Sequence, residues 1–226
     1  MRLFYLALFA FPTVGLADPE ADWDGLYLGG GLQFSRGETE VIGNRFTYNQ
    51  RTALNFVRHD YDGFGVHGFV GKNVRRGDFV FGFEMSLAFA SLESSLVFNT
   101  DNDIDQVEIN WSGSLTGRAG RAFGDNLFYV KGGLAVADIR NVGGDVNNGS
   151  LQLSDAHIRE DILLGPTVGV GFERLLNDKY SLRVEYNYTE FRDFSQANQD
   201  GAPGSQVYNV DNGPLQSLNI GIVLDF

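Results

Sequence analysis

The chain has 226 residues, no cysteine, and 29 Asp+Glu against 17 Lys+Arg, for a formal net charge of -12. That acidic balance excludes the clustered Lys and Arg that a phosphate backbone requires, so nucleic acid is not an expected partner. Without cysteine there is neither a disulfide framework nor a thiolate metal site, and the fold must be held by packing and hydrogen bonding alone.

The chain opens with Arg2, an apolar run over residues 3–11, Pro12, and small residues at Gly15 and Ala17. This is the pattern of a secretory signal peptide, with cleavage expected after Ala17, so residues 1–17 form the signal and 18–226 a single domain. The run is shorter than the roughly 20 residues that a membrane-spanning helix needs.

Period-two alternation then recurs along the chain. Residues 26–35 set Leu26, Leu28, Leu32 and Phe34 against Tyr27, Gly29, Gly31, Gln33 and Ser35. Residues 63–73 are the weakest case, because Phe69 falls on the face of Gly65, His67 and Gly71. Residues 79–90 are the cleanest, with Phe79, Phe81, Phe83, Met85, Leu87 and Phe89 all on one side. Residues 107–123 place Val107, Ile109, Trp111 and Leu115 opposite Glu108, Ser112, Thr116 and Arg118. Residues 127–137, 164–174 and 180–189 continue the pattern, and residues 214–226 end it with Leu218, Ile220, Ile222, Leu224 and an aromatic terminus, Phe226. Each stretch is an expected strand with one face in an apolar medium.

The connections alternate in length. Short ones near residues 75–78, 124–126 and 176–179 carry the Gly, Asn and Asp of tight turns, while long ones cover roughly 37–62, 91–106, 138–161 and 190–213. The fold class expected is therefore all-β, an eight-stranded antiparallel transmembrane up-and-down β-barrel in the cell outer membrane, with both termini periplasmic. Backbone groups in lipid must all be paired, so the first strand must close on the last. Phe79, Tyr180 and Phe226 are expected at one interface, and Phe34, Phe89, Trp111 and Tyr188 at the other, as aromatic girdles.

The opposite parity collects Glu84, Arg118, Lys131, Glu173, Arg183 and Glu185, three acidic and three basic side chains. Six charges facing lipid, at about 2–4 kcal/mol each near mid-depth, would exceed the stability of most domains, so these are expected in the lumen. A barrel of eight strands is just wide enough for side chains to fill, which predicts a plugging network. Arg121 departs from the pattern on the lipid parity, near a turn where it can snorkel to water.

The segment Trp23-Asp24-Gly25-Leu26-Tyr27-Leu28-Gly29-Gly30-Gly31, the four-loop layout and the terminal Phe226 resemble the small outer-membrane β-barrel family of Gram-negative bacteria, the OmpA-like and opacity-protein-like "porin family". The resemblance covers the whole mature chain. It implies a heat-modifiable barrel, assembled by the outer-membrane machinery through a last-strand signal (Leu218, Ile220, Ile222, Leu224, Phe226), with loops that serve adhesion, envelope integrity or host contact. Residues 18–226 read as barrel alone, without the peptidoglycan-binding domain of two-domain members, so a cell-wall anchoring role is not expected.

Little in the chain speaks for chemistry. Three histidines are present, His59 and His157 in expected loops and His67 on the lumen parity, and no spacing singles out a Ser-His-acid trio. Asp101-Asn102-Asp103-Ile104-Asp105 clusters oxygen ligands but lacks the Gly and closing Glu of a calcium loop. Gly29-Gly30-Gly31 lies within a strand and marks a bend or close strand approach, not a phosphate cradle. The reading is a non-enzymatic protein with no cofactor and no metal. Its expected partners are outer-membrane lipid and lipopolysaccharide, the assembly machinery and a surface ligand. A narrow pore and an outer-membrane lipid hydrolase are the alternatives.

Overall fold

A computed structural model describes residues 23–43, 55–98, 103–147, 150–151, 157–191, 194–197 and 207–226. The expected signal peptide, as well as Asp101 and Asn102 of the acidic segment, lies outside them. The described residues form eleven strands and no helix: β1 Gly25–Gly43, β2 Asn55–Arg76, β3 Phe79–Phe98, β4 Asp103–Phe123, β5 Asn126–Asn147, β6 Ser150–Leu151, β7 His157–Leu175, β8 Tyr180–Thr189, β9 Phe194–Ala197, β10 Val207–Asn212 and β11 Leu215–Asp225.

Eight of these make the wall, each antiparallel to the next in the order β1, β2, β3, β4, β5, β7, β8, β11. The last strand closes on the first, with Leu28 opposite Leu224 and Phe34 opposite Leu218. Closure leaves no edge in the apolar zone, as backbone in lipid requires. Three short strands lie beyond it: β6 pairs with β5, β10 with the far part of β1, and β9 with β10.

Six of the eight staves, β1 to β5 and β7, are longer than the sequence alone predicts, whereas β8 matches residues 180–189 and β11 falls within 214–226. Much of what reads as long loop is strand, because β2 begins at Asn55, β3 runs to Phe98, β5 to Asn147 and β7 starts at His157. His59 and His157 accordingly stand on strands β2 and β7, not in loops. Above the apolar band, water satisfies exposed backbone less completely than a partner strand does, so hairpins continue although their side chains no longer alternate in hydrophobicity. The tight turns at Gly77 and Gly124 hold positive φ, +62° and +56°, which two-residue hairpins demand and glycine supplies without strain.

The polarity of the wall is inverted relative to a soluble barrel. On β3, Phe79, Phe81, Phe83, Met85, Leu87 and Phe89 are 43–74% exposed, whereas Val80, Glu84 and Ala88 between them are at most 7% exposed. The same outward apolar face recurs at Leu32, Phe64, Leu115, Val130, Val168 and Ile220. So large an apolar surface matches a bilayer and would be an aggregation hazard in water. Ten residues separate Phe79 from Phe89, about 25 Å along the barrel axis at a strand tilt near 40°, which spans the apolar band.

One stretch reverses parity. Register shifts between Phe89 and Leu92 on β3, and between Ile109 and Trp111 on β4, mark the bulge at which Ile109 turns inward, where it is buried opposite Leu92, a residue that keeps the inward parity of Val80, Glu84 and Ala88. The expectation that Ile109 shares the lipid face of Trp111 and Leu115 is thus corrected, since a one-residue bulge carries every side chain beyond it to the other face.

The interior has three tiers. At the end carrying the tight turns, Trp23, Val80, Ala122, Leu127 and Tyr129 pack together. Charged side chains occupy the tier above them, and beyond a polar gap Tyr61, Leu92, Ile109, Ile139, Leu163, Phe191 and Leu215 form a second apolar cluster towards the long hairpins. Hydrophilic residues therefore concentrate in the middle of the lumen, with an apolar cluster on either side.

Candidate functional site

The charged tier follows from strand alternation: each stave contributes inward residues every second position, and the stagger of the wall brings Glu84 of β3, Arg118 of β4, Lys131 of β5, Glu173 of β7 and Arg183 and Glu185 of β8 to one level. All six are at most 7% exposed. Arg118 Nη1 donates to Glu173 Oε1 at 2.7 Å, and Lys131 Nζ lies 2.7 Å from Glu185 Oε1 and 3.1 Å from Glu84 Oε1. Arg183 Nη1 donates to Glu84 Oε2 in a short bond, while its Nη2 lies 2.9 Å from Glu173 Oε1 as an ion pair off hydrogen-bond alignment. Three cations and three carboxylates thus neutralise one another, the condition under which charges tolerate burial.

Aromatic side chains complete the tier, and the charge pattern alone does not show them. Tyr27 donates to Glu84 at 2.9 Å and Tyr129 to Glu185 at 2.7 Å, while Arg118 Nε donates to Asn73 Oδ1 at 2.9 Å. The Arg183 guanidinium carbon stands 3.9 Å from the Phe69 ring centroid, and that of Arg118 4.5 Å from Tyr27 and 4.7 Å from Tyr129, all within cation–π range. Phe69, which weakens the alternation of its strand, is therefore a lumen residue with a cation on its face.

Each of these rings lies across a glycine on the neighbouring strand: Tyr27 opposite Gly71, Phe69 opposite Gly29, Tyr129 opposite Gly171. A Cβ at any of those glycines would run into the ring. Within the Gly29-Gly30-Gly31 run, Gly29 is a close-approach site of this kind, while a Cβ on Gly31 would run into the backbone of Ile220 and Gly221. A signal for the rings is present in the sequence, in that Tyr27, Phe69 and Tyr129 all share the lumen parity.

Above the charges lies a cavity of about 60 Å³, lined by Gln33, His67, Ser86, Ser114, Asn187 and Asn219 among others. Phe69, Ala88, Ala135, Phe191 and Leu215 complete a mixed lining, and the cavity's size suits a few waters held on its polar side. His67 is 9% exposed, its ring meets Phe69 edge-on at 5.5 Å, and Nε2 has no hydrogen-bond partner among the described residues. Among the described residues no group of three or more His, Cys, Asp or Glu is placed to hold a metal, and Asp103 and Asp105 stand within β4.

The expected girdle residues take two levels. Phe79, Tyr180 and Phe226 are exposed at the turn end, while Phe34 faces Phe64 at 5.0 Å and Phe89 stands opposite Trp111 at the other, with Tyr188 opposite Gln216. In β11, Leu218, Ile220 and Ile222 face outward, Leu224 is half-buried, and the Phe226 N–H donates to the Leu26 carbonyl at 2.9 Å. Arg121, on the outer face, pairs with Asp78 at 3.1 Å beside the first turn.

The family model described as "Outer membrane protein beta-barrel domain" matches residues 4–226. A 22 kDa outer membrane protein of Rhizobium leguminosarum bv. viciae is 27% identical over 92% of this chain and 80% of its own length. A 25 kDa outer-membrane immunogenic protein of Brucella canis is likewise 27% identical, over 92% of this chain and 81% of its own length. Among solved structures, the outer membrane protein OprG from Pseudomonas aeruginosa shares the fold, with a TM-score of 0.60 at 14% identity, over 90% of this chain and 96% of that one.

Proposed function

The chain belongs to the outer membrane protein β-barrel domain family, and on that premise we propose that it is a sealed barrel whose work is done at the cell surface, in envelope integrity or adhesion. The observation that carries this reading is the filled lumen: a neutral, buried charge network with apolar clusters on both sides. Water-filled conduction needs a continuous polar path, and apolar constrictions of this kind dewet. Purified, refolded protein in planar bilayers is expected to give no steady single-channel current. A reproducible ohmic step would replace the plug by the alternative, a narrow pore.

The hairpins opposite the tight turns carry Glu38, Asp60, Asp62, Glu108, Asp138, Glu160 and Asp161, which gives the surface end an acidic character suited to cationic partners or to divalent ions shared with lipopolysaccharide. The name of the Brucella relative, an immunogenic protein, fits hairpins presented outside the cell. In this reading the tight turns and both termini are periplasmic, the last strand with Phe226 is the signal read by the assembly machinery, and there is no catalytic residue. The cysteine-free chain allows a direct test of orientation. In intact cells a membrane-impermeant maleimide is expected to label Glu160→Cys, and to label Asp125→Cys only after the outer membrane is permeabilised. The converse pattern would turn the barrel over.

A further inference from the structure

The outer wall carries a groove of about 450 Å³ across β2 to β5, bordered by Phe81 and Phe83 and floored by Gly117, Ala119 and Gly132, with Lys72 at its start. In register, Lys72 stands opposite Phe83, Phe83 opposite Gly117, and Gly117 opposite Gly132. The row is oblique to the membrane. Gly25 pairs with Asn73 while β2 continues to Arg76, and Phe79 pairs with Arg121 while β4 continues to Phe123, so successive turns step down relative to a fixed register. With strands about 4.8 Å apart and tilted near 40°, each step along the row rises about 3 Å, which places Gly132 about 9 Å deeper in the apolar band than Lys72.

Two features of this groove bear on what it holds. The lumen glycines are crowded by rings or by backbone, but a Cβ on Gly117 would meet only Phe83 Cε1 at 3.8 Å and Gly82 O at 4.0 Å, and one on Gly132 only Thr167 O at 3.8 Å and Val168 Cγ1 at 4.0 Å. These glycines are not required by close packing, and the space above them is left to the surroundings. Lys72, in turn, is an exposed cation on the lipid parity, with no ion-pair partner among the described residues. Arg121, at the turn-end rim of β4, has its charge answered by Asp78.

We propose that this groove is a binding site for an anionic phospholipid of the leaflet at the turn end: the phosphate sits at Lys72, and an acyl chain rises past Phe83 over Gly117 and Gly132. Charge and shape agree on this occupant, since the cation lies at the interfacial end and the apolar trough runs inward from it. The assignment to the inner leaflet rests on the orientation proposed above, which the labelling at Asp125 tests separately; lipid binding in micelles does not depend on it.

The test is native mass spectrometry of the refolded full-length mature chain in detergent, with phosphatidylglycerol and phosphatidylcholine of matched acyl chains as probes. The wild type is expected to retain phosphatidylglycerol about five-fold more than phosphatidylcholine, the scale of one cation beside an anionic headgroup. Lys72→Gln is expected to abolish that preference, and Gly117→Leu, which fills the open trough, to lower retention of both lipids. The gel-mobility difference between unboiled and boiled samples reports that each variant remains a closed barrel. Equal retention of the two lipids by the wild type, or a preference unchanged in Lys72→Gln, overturns the proposal. Undiminished retention in a folded Gly117→Leu variant overturns it as well, because the groove would then play no part.

Discussion

Replacing Glu84 by Gln is expected to destabilise the barrel by about 3–5 kcal/mol, the scale for removing one partner from a buried ion pair. Glu84 is 2% exposed and its carboxylate is the hub of the lumen: it accepts from Tyr27 and Arg183, lies 3.1 Å from Lys131 and 3.9 Å from Arg118. The amide keeps the shape and one hydrogen bond but leaves three cations facing two carboxylates. The apolar clusters above and below hinder water from reaching the excess charge, so it stays poorly solvated. Denaturant titration in vesicles measures the loss, and the boiling threshold of the gel-mobility shift follows it. The double variant Glu84→Gln/Lys131→Gln removes one charge of each sign and restores neutrality. Its cost is expected to fall short of the summed single costs by more than about 1 kcal/mol, as coupled neighbours do. Additive costs would mean that the six charges do not act as one compensated unit.

The inward placement of those six charges is legible in the sequence because burial in lipid is so unfavourable that parity alone decides which face they take. Strand number, the terminal closing strand and the tight turns are legible for a related reason: period two and the Gly-Asp pairs are local signals. Three features are not. The outer halves of the staves, such as 55–62 of β2 and 138–147 of β5, lack a sustained hydrophobic alternation, since their outward face leaves the bilayer there, and they are held by backbone pairing and by the inward packing of residues such as Tyr61 and Ile139. The inward turn of Ile109 depends on bulges, which no side-chain pattern announces. The rings of Tyr27, Phe69 and Tyr129 lie where they do because a glycine on the next strand yields the room, a relation that exists only once register is known. Phe69 shows the cost of judging a strand by alternation alone: the residue that weakens the pattern is the one against which Arg183 packs.

One position further along β3 the physical demand reverses, and Met85→Arg is expected to cost about 2–4 kcal/mol, the range for a cation on the lipid face near the midplane. Met85 is 59% exposed, stands between Val70 and Leu115 on the adjoining strands, and lies six residues from Phe79 and four from Phe89, well inside the apolar band. From there an arginine cannot readily carry its head to either interface. The natural cations on the same face, Lys72 and Arg121, sit near the turn end, where the penalty falls to about 0–1 kcal/mol and a long side chain reaches water. A useful comparison is Phe79→Arg, at the rim of the same strand, for which the smaller cost applies. Denaturant titration in vesicles separates the two, and the ordering matters more than either value. If the outward face met water, Met85→Arg would be a surface change within about 0.5 kcal/mol of the wild type, and would improve solubility. A large cost at Met85 beside a small one at Phe79 is obtained only when depth along β3 is depth in a bilayer.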